Sequence, residues 1–211
     1  MSLAYAAAQI SALETATAAG LPVVLAPIDS PFEPLRDHGL RLVLASDGLY
    51  IEARSMRLYA LRRIAACATP FGSVAPQLQL QAGPLPRSLL QTFSRMAESA
   101  HPRETAALAI SRDGSGYELH VPPAHAHTGR VTYDDTGYAD EHLVFDLHSH
   151  GPYAAVFSGT DDASDVSRGV PHISIVLGYC ESASTMEYAV RLCLGPYLLN
   201  LSRDDLMGMV Q

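Results

Sequence analysis

The spacing of hydrophobic and polar positions changes near residue 86. Residues 2–18 place apolar and small polar side chains at roughly helical spacing and stop at Gly20, which predicts a short N-terminal helix. The apolar run "LPVVLAPI" then reads as a strand. In "LRLVLASDGLYIEARS" two apolar runs flank Ser46-Asp47-Gly48, and an Asp-Gly pair in that position predicts a hairpin. "MRLYALRRIA" extends the pattern as a third strand, and "TPFGSVAPQLQLQAGPLPRS", broken by Pro and Gly, predicts loops with at most short strands. In "PRSLLQTFSRMAESAHP" the period becomes helical through Leu89, Leu90, Phe93 and Met96, with Ser88 as the expected cap and Pro102 as the stop. The rest alternates strands with one helix. "ETAALAISRDGSGYELHVPP" predicts strand, turn, strand. "HLVFDLHSH", "PHISIVLGYC" and "MEYAVRLCLG" predict buried strands, and a helix is expected from about Asp161. The expectation is an α+β chain: a small β-rich region over 1–85, then a mixed sheet flanked by helices over 86–211.

Composition narrows the classes. The chain has 211 residues, 48% hydrophobic and 17% charged, an ordinary globular balance. Its formal net charge is −8 and no basic run exceeds Arg62–Arg63, so nucleic acid is not an expected partner. Cys67, Cys180 and Cys193 stand far apart with no CxxC, which fits small buried hydrophobes in a reducing compartment. The Ala-rich start has no positive n-region, and the apolar runs are far shorter than the ~20 residues of a membrane helix. The expectation is a soluble, cytoplasmic protein.

The chemistry concentrates in "DLHSHGPYAAVFSGTDDASD". His148 and His150 end an apolar strand, and residues two apart on a strand point the same way, so both imidazoles can meet one metal ion. Asp161 can supply a third ligand once the chain folds back. Three protein ligands with one open position is the arrangement of a catalytic zinc. A hydrolytic site also needs a general base, and Ser158 can donate a hydrogen bond to a developing oxyanion. Ser158-x-x-Asp161 is equally a capping box opening a helix, and both roles are compatible. Asp162 is expected to face solvent in the first helical turn. Glu141 is not aimed at the histidines. The second pair, His125 and His127, follows two prolines and reads as a loop.

His148-Ser149-His150, seven residues, then Ser158-Gly159-Thr160-Asp161 resembles the H-[ST]-H-x(7)-S-x-x-D pattern of the JAB/JAMM (MPN+) zinc metalloproteases. That family carries a catalytic Glu some forty residues upstream, often in Pro-x-Glu, and Glu104 in "HPRET" lies 44 residues before His148. The resemblance covers about residues 86–200. It implies a JAB/MPN-like fold, topologically related to cytidine deaminases; Zn²⁺ held by His148, His150 and Asp161; Glu104 as base; and Ser158 as oxyanion donor. Two departures stand out: Gly151 precedes Pro152 where the family has Pro directly after the second His, and "TAALAI" replaces the glycine-rich run after the Glu. The whole chain is similar to the bacterial PRTRC system protein A group. This implies a peptidase or isopeptidase acting on the C-terminal tail of a ubiquitin-like protein, beside ThiF-like and conjugating-enzyme-like partners. A non-catalytic MPN scaffold is the alternative. A zinc nucleobase deaminase needs H-x-E and P-C-x-x-C, and neither is present.

Overall fold

The structure, a computed structural model, describes residues 20–122, 124–127, 130–133 and 138–211; the expected N-terminal helix over 2–18 lies outside them. The chain divides into two compact units, Met1–Gln79 and Leu80–Gln211.

In the first unit β1 (Val23–Leu25), β2 (Gly39–Ala45), β3 (Gly48–Arg54), β4 (Leu58–Ala66) and β5 (Gln77–Leu80) form one sheet in that order. The expected hairpin joins β2 to β3 through Ser46-Asp47, and the Tyr50 hydroxyl donates to the Asp47 carboxylate at 3.1 Å. Val43, Ala45, Tyr50, Tyr59 and Leu61 pack as the core. The buried acid there, Glu52, accepts from the Leu35 amide (2.7 Å), the Tyr59 hydroxyl (2.9 Å) and Arg41, so it is paired and hydrogen-bonded as a buried charge must be.

The second unit contains α1 (Arg87–Ala100), β6 (Ala106–Ile110), β7 (Glu118–His120), β8 (Ala124–His127), β9 (Arg130–Tyr133), β10 (Leu143–Ser149), α2 (Gly159–Ser167), β11 (His172–Gly178), β12 (Glu187–Leu194), β13 (Tyr197–Asn200) and α3 (Arg203–Met209). Six strands form one mixed sheet in the order β13-β12-β11-β10-β6-β7, and β8 and β9 make a separate hairpin. The class is α+β. Strands β6, β10 and β11 are almost wholly buried, which explains why their sequences are continuous apolar runs. Among the described residues no helix is long and apolar enough to cross a membrane, and the three cysteines are unpaired: Cys180 and Cys193 are buried as expected, whereas Cys67, just past the end of β4, is exposed.

Three local expectations change. Ser88 is not the cap of α1: the helix opens after Pro86 with no side-chain cap, and the Arg87 amide instead donates to the Gln211 carbonyl at 2.6 Å. A tertiary partner thus takes a donor that a side chain would otherwise satisfy. His125 and His127 lie on β8, paired with β9, rather than in a loop. Ala-His-Ala-His followed two residues later by Arg-Val-Thr-Tyr is a hairpin pattern that the prolines before it obscure. After residue 195, where the pattern assigned nothing, β13 adds an edge strand and Ser202 and Asp205 form a reciprocal capping box that opens α3.

The topology fixes where chemistry can collect. β10 runs parallel to β11 and antiparallel to β6. The carboxyl end of β10 therefore meets the start of β6 on one side and feeds α2 through a loop on the other.

Candidate metal centre

His148 and His150 stand at the carboxyl end of β10, with ring centroids 5.1 Å apart. The segment that follows turns back sharply. Gly151 has φ +55°, and the Tyr153 amide donates to the His150 carbonyl at 3.0 Å. Ser158 then opens α2: its hydroxyl accepts from the Asp161 amide at 3.3 Å, and its own amide donates to Asp161 Oδ2 at 2.6 Å. The capping box thereby orients the Asp161 carboxylate, which also sits at the positive end of the helix dipole.

His148 Nε2 lies 3.3 Å from Asp161 Oδ1, and His150 Nε2 lies 3.6 Å from Asp161 Oδ2. A tetrahedral ion with bonds of about 2.0–2.1 Å has ligand-to-ligand edges of about 3.4 Å, so this spacing suits zinc. Two imidazole nitrogens and one carboxylate are also the right donor set. The His148 Nε2 atom is buried with no hydrogen-bond partner, an orphan that a metal would satisfy. The electrostatics are tightly coupled. The Asp161 hydrogen bond raises the His150 imidazole above its ordinary value against the effect of burial, and the His150 ring also bonds to the Ala154 backbone. Burial alone would raise Asp161, but the neighbouring His148 and His150 imidazoles and the Ser158 amide outweigh it and hold the carboxyl well below the usual range.

Glu104 arrives from the other side. Ala106 pairs with His148 across the antiparallel β6–β10 ladder, so the register continued two residues puts Glu104 opposite His150. Ser149, between the two histidines, clamps this segment: its hydroxyl accepts from the Thr105 amide at 3.0 Å, and its amide donates to the Thr105 carbonyl at 2.9 Å. Burial raises the Glu104 carboxyl above its ordinary value, and the charges of His150, His148 and Asp161 all act on it. Glu104, His148, His150, Ser158 and Asp161 thus converge on one end of the sheet. Glu141 does not: it lies beside His142, 3.9 Å away.

Gly151 explains one departure from the motif. A Cβ there would stand 2.4 Å from the Pro102 carbonyl oxygen, and its positive φ is closed to proline. The glycine lets the segment carrying Glu104 pack against the turn after His150. Gly151→Ala is therefore expected to displace the segment carrying Glu104 and to lower stability by about 1–3 kcal/mol, which thermal melts of the variant check.

The sequence reading missed what holds α2 in place. Asp165 is buried and accepts from Arg191 Nε at 2.7 Å, with Arg191 NH2 2.6 Å from the same oxygen. Arg191 also bonds Asp162, which therefore does not simply face solvent. At the far end of the helix Arg168 donates to the buried Asp146 of β10 at 2.7 Å. Two arginine–aspartate pairs thus fasten the helix that carries Asp161. The Arg191 guanidinium lies 3.8 Å from the Phe157 ring centroid, and Phe157 meets His148 edge-on, with centroids 6.3 Å apart. No sequence spacing marks these contacts, because Arg191 is 26 residues from Asp165.

Asp165, His172 and Cys193 form a second compact group of metal-type donors. It does not fit a cation as well. The Arg191 guanidinium already neutralises Asp165, the Cys193 thiol donates to it at 3.2 Å, and His172 Nε2 stands 3.4 Å from it. A metal ion there would face a buried positive charge. Burial and the Asp165 charge also push the Cys193 thiol far up, away from the thiolate that a metal needs.

Residues 86–192 match the family model described as prokaryotic homologs of the JAB domain, and residues 11–81 match a domain of unknown function, DUF2016. No curated protein matches the chain. Among solved structures, a JAB1/MPN domain protein from Archaeoglobus fulgidus aligns at 21% identity over 57% of this chain and 94% of its own, with a TM-score of 0.40. A structure described as JAMM, a metalloprotease-like zinc site in the proteasome and signalosome, aligns at 18% identity over 57% of this chain and 93% of its own, with a TM-score of 0.37.

Proposed function

The chain belongs to the prokaryotic homologs of the JAB domain, and on that premise we propose that it is a zinc-dependent metallopeptidase or isopeptidase acting on the C-terminal tail of a ubiquitin-like protein. The observation that carries this reading is the convergence of two strand-end histidines, a capped-helix aspartate and a half-buried glutamate on one end of the sheet. His148, His150 and Asp161 would hold the zinc. A zinc ion there supplies Lewis acidity, polarising a carbonyl and lowering the pKa of a water to about 7. Glu104 takes the proton from the attacking water and passes it to the leaving amine. Its raised affinity for a proton suits that exchange. Ser158 opens α2 beside Asp161, where its hydroxyl hydrogen is available to an oxyanion while its oxygen accepts from the Asp161 amide. ThiF-like and conjugating-enzyme-like proteins are the proposed partners, in the cytoplasm.

The test begins with metal. Elemental analysis of the wild type is expected to find about one zinc per chain, and His148→Ala to reduce it to a trace. A wild type that takes up no zinc after reconstitution would remove the hydrolase reading and leave the scaffold alternative.

A further inference from the structure

A groove of about 1030 Å³ runs from the loop after the histidine pair to α3. At one end it is lined by Phe157, the residue against His148, and at the other by Leu206 and Arg203 of α3. One wall is β12, and the pairing of that strand is incomplete. β13 covers β12 only from Arg191 to Leu194, with the Val190 carbonyl accepting from the Leu201 amide at 2.9 Å. Backbone groups alternate sides along a strand, so the Tyr188 N–H and C=O point the same way as the Val190 carbonyl, away from β11 and into the groove. Among the described residues no strand lies beside them.

We propose that this open edge of β12 takes an extended substrate segment as an added strand, several residues from the bond that is cut, and that the segment carries acidic side chains. The proposal rests on the hydrolase reading and deepens it. Ala106, His148, Val176 and Ala189 form one row across β6, β10, β11 and β12, so Tyr188 is level with the metal centre. An added strand would run three strand spacings from β10, about 14 Å, or roughly four extended residues from the histidines. The charge preference comes from Arg87 and Arg203. Both line the groove and are exposed, and neither has a carboxylate partner among the described residues; of the two acids that also line it, Asp162 is held by Arg191, which leaves Glu187 against the two arginines and the groove positive. Leu90 and Leu206 give apolar wall between them. Main-chain bonds to the strand edge provide affinity, and the flanking side chains provide selection.

The experiment uses the zinc-loaded Glu104→Gln chain, so that the probe is not cut. The probe is the fluorescein-labelled peptide Glu-Glu-Val-Thr-Val-Thr-Val-Gly, and binding is read by anisotropy. Saturable binding is expected, weakened roughly tenfold by Tyr188→Pro, which removes the N–H facing the groove without touching the bonds to β11. Exchanging the two Glu of the peptide for Lys should weaken it by a similar factor, more so at low salt. Should Tyr188→Pro fail to fold, backbone N-methylation at successive peptide positions replaces it, and alternate positions should lose binding. No saturable binding, or binding indifferent to both backbone changes, overturns the proposal. So does a dimer that depends on Tyr188 and that the peptide does not displace, because a second copy would then hold the edge. Peptide binding in a chain that takes up no zinc would sink the hydrolase reading and leave the groove; cleavage with KM unaltered by Tyr188→Pro would do the reverse.

Discussion

Glu104→Gln is expected to keep zinc at the wild-type ratio and to slow hydrolysis by about 10²- to 10⁴-fold, the usual worth of a positioned general base. Glutamine has nearly the same shape and can keep the hydrogen bonds of the segment, including the Ser149–Thr105 clamp beside it. What it loses is the ability to accept and return a proton. The informative comparison is with His148→Ala, which should lose both metal and rate. Zinc analysis and turnover measured together separate the two. A Gln variant that retained most of its activity would place the base elsewhere. The wild-type rate should fall to the His148→Ala level on chelation and recover on adding zinc back.

Arg191→Leu is expected to cost about 3–5 kcal/mol of stability at neutral pH, because it leaves the buried Asp165 carboxylate without its cation. The pH dependence has a definite sign. Burial works to raise Asp165, but the His172 hydrogen bond and the His172 and Arg191 charges outweigh it and lower its pKa to about 2. A carboxyl depressed in the fold contributes stability that is present above its unfolded value, near 4, and is lost as pH falls toward about 2. The deficit of the variant should therefore shrink as the pH is lowered through that window, since a neutral Asp165 no longer needs a cation. Denaturant titrations at neutral pH and near pH 3 test this, and a deficit independent of pH would show that lost packing, not charge, is responsible. Asp165→Leu in the same chain should recover much of the loss, because replacing the whole pair by apolar residues is often close to neutral. Zinc affinity should drop about 10- to 100-fold in Arg191→Leu, since Arg191 holds the helix that bears Asp161 and stacks on Phe157.

Local chemistry made much of this protein legible in one dimension. The Asp47-Gly48 turn predicts the first hairpin because few residues tolerate its backbone, and the runs "HLVFDLHSH" and "PHISIVLGYC" read as strands because both faces of the sheet are covered. His148 and His150 share a side because strand alternation has a period of two, and Ser158-x-x-Asp161 opens a helix because both donors of its box lie within one turn. The start of α1 was not legible, since the Arg87 amide is satisfied by Gln211, more than a hundred residues away.

By itself, then, the sequence determined the first hairpin, the buried strands, the helix opened by Ser158 and the histidine, serine and aspartate spacing, because these depend on interactions within a few residues. The tertiary structure alone decided what depends on register and close approach. The antiparallel β6–β10 ladder sets Glu104 against His150, and the glycine at 151 makes room for it beside Pro102. Arg191 and Arg168 pin α2 to the sheet across separations of 26 and 22 residues, where burial strengthens each charge pair and no pattern along the chain records it. The open edge at Tyr188 belongs to the same class: it exists only because β13 stops short of covering β12.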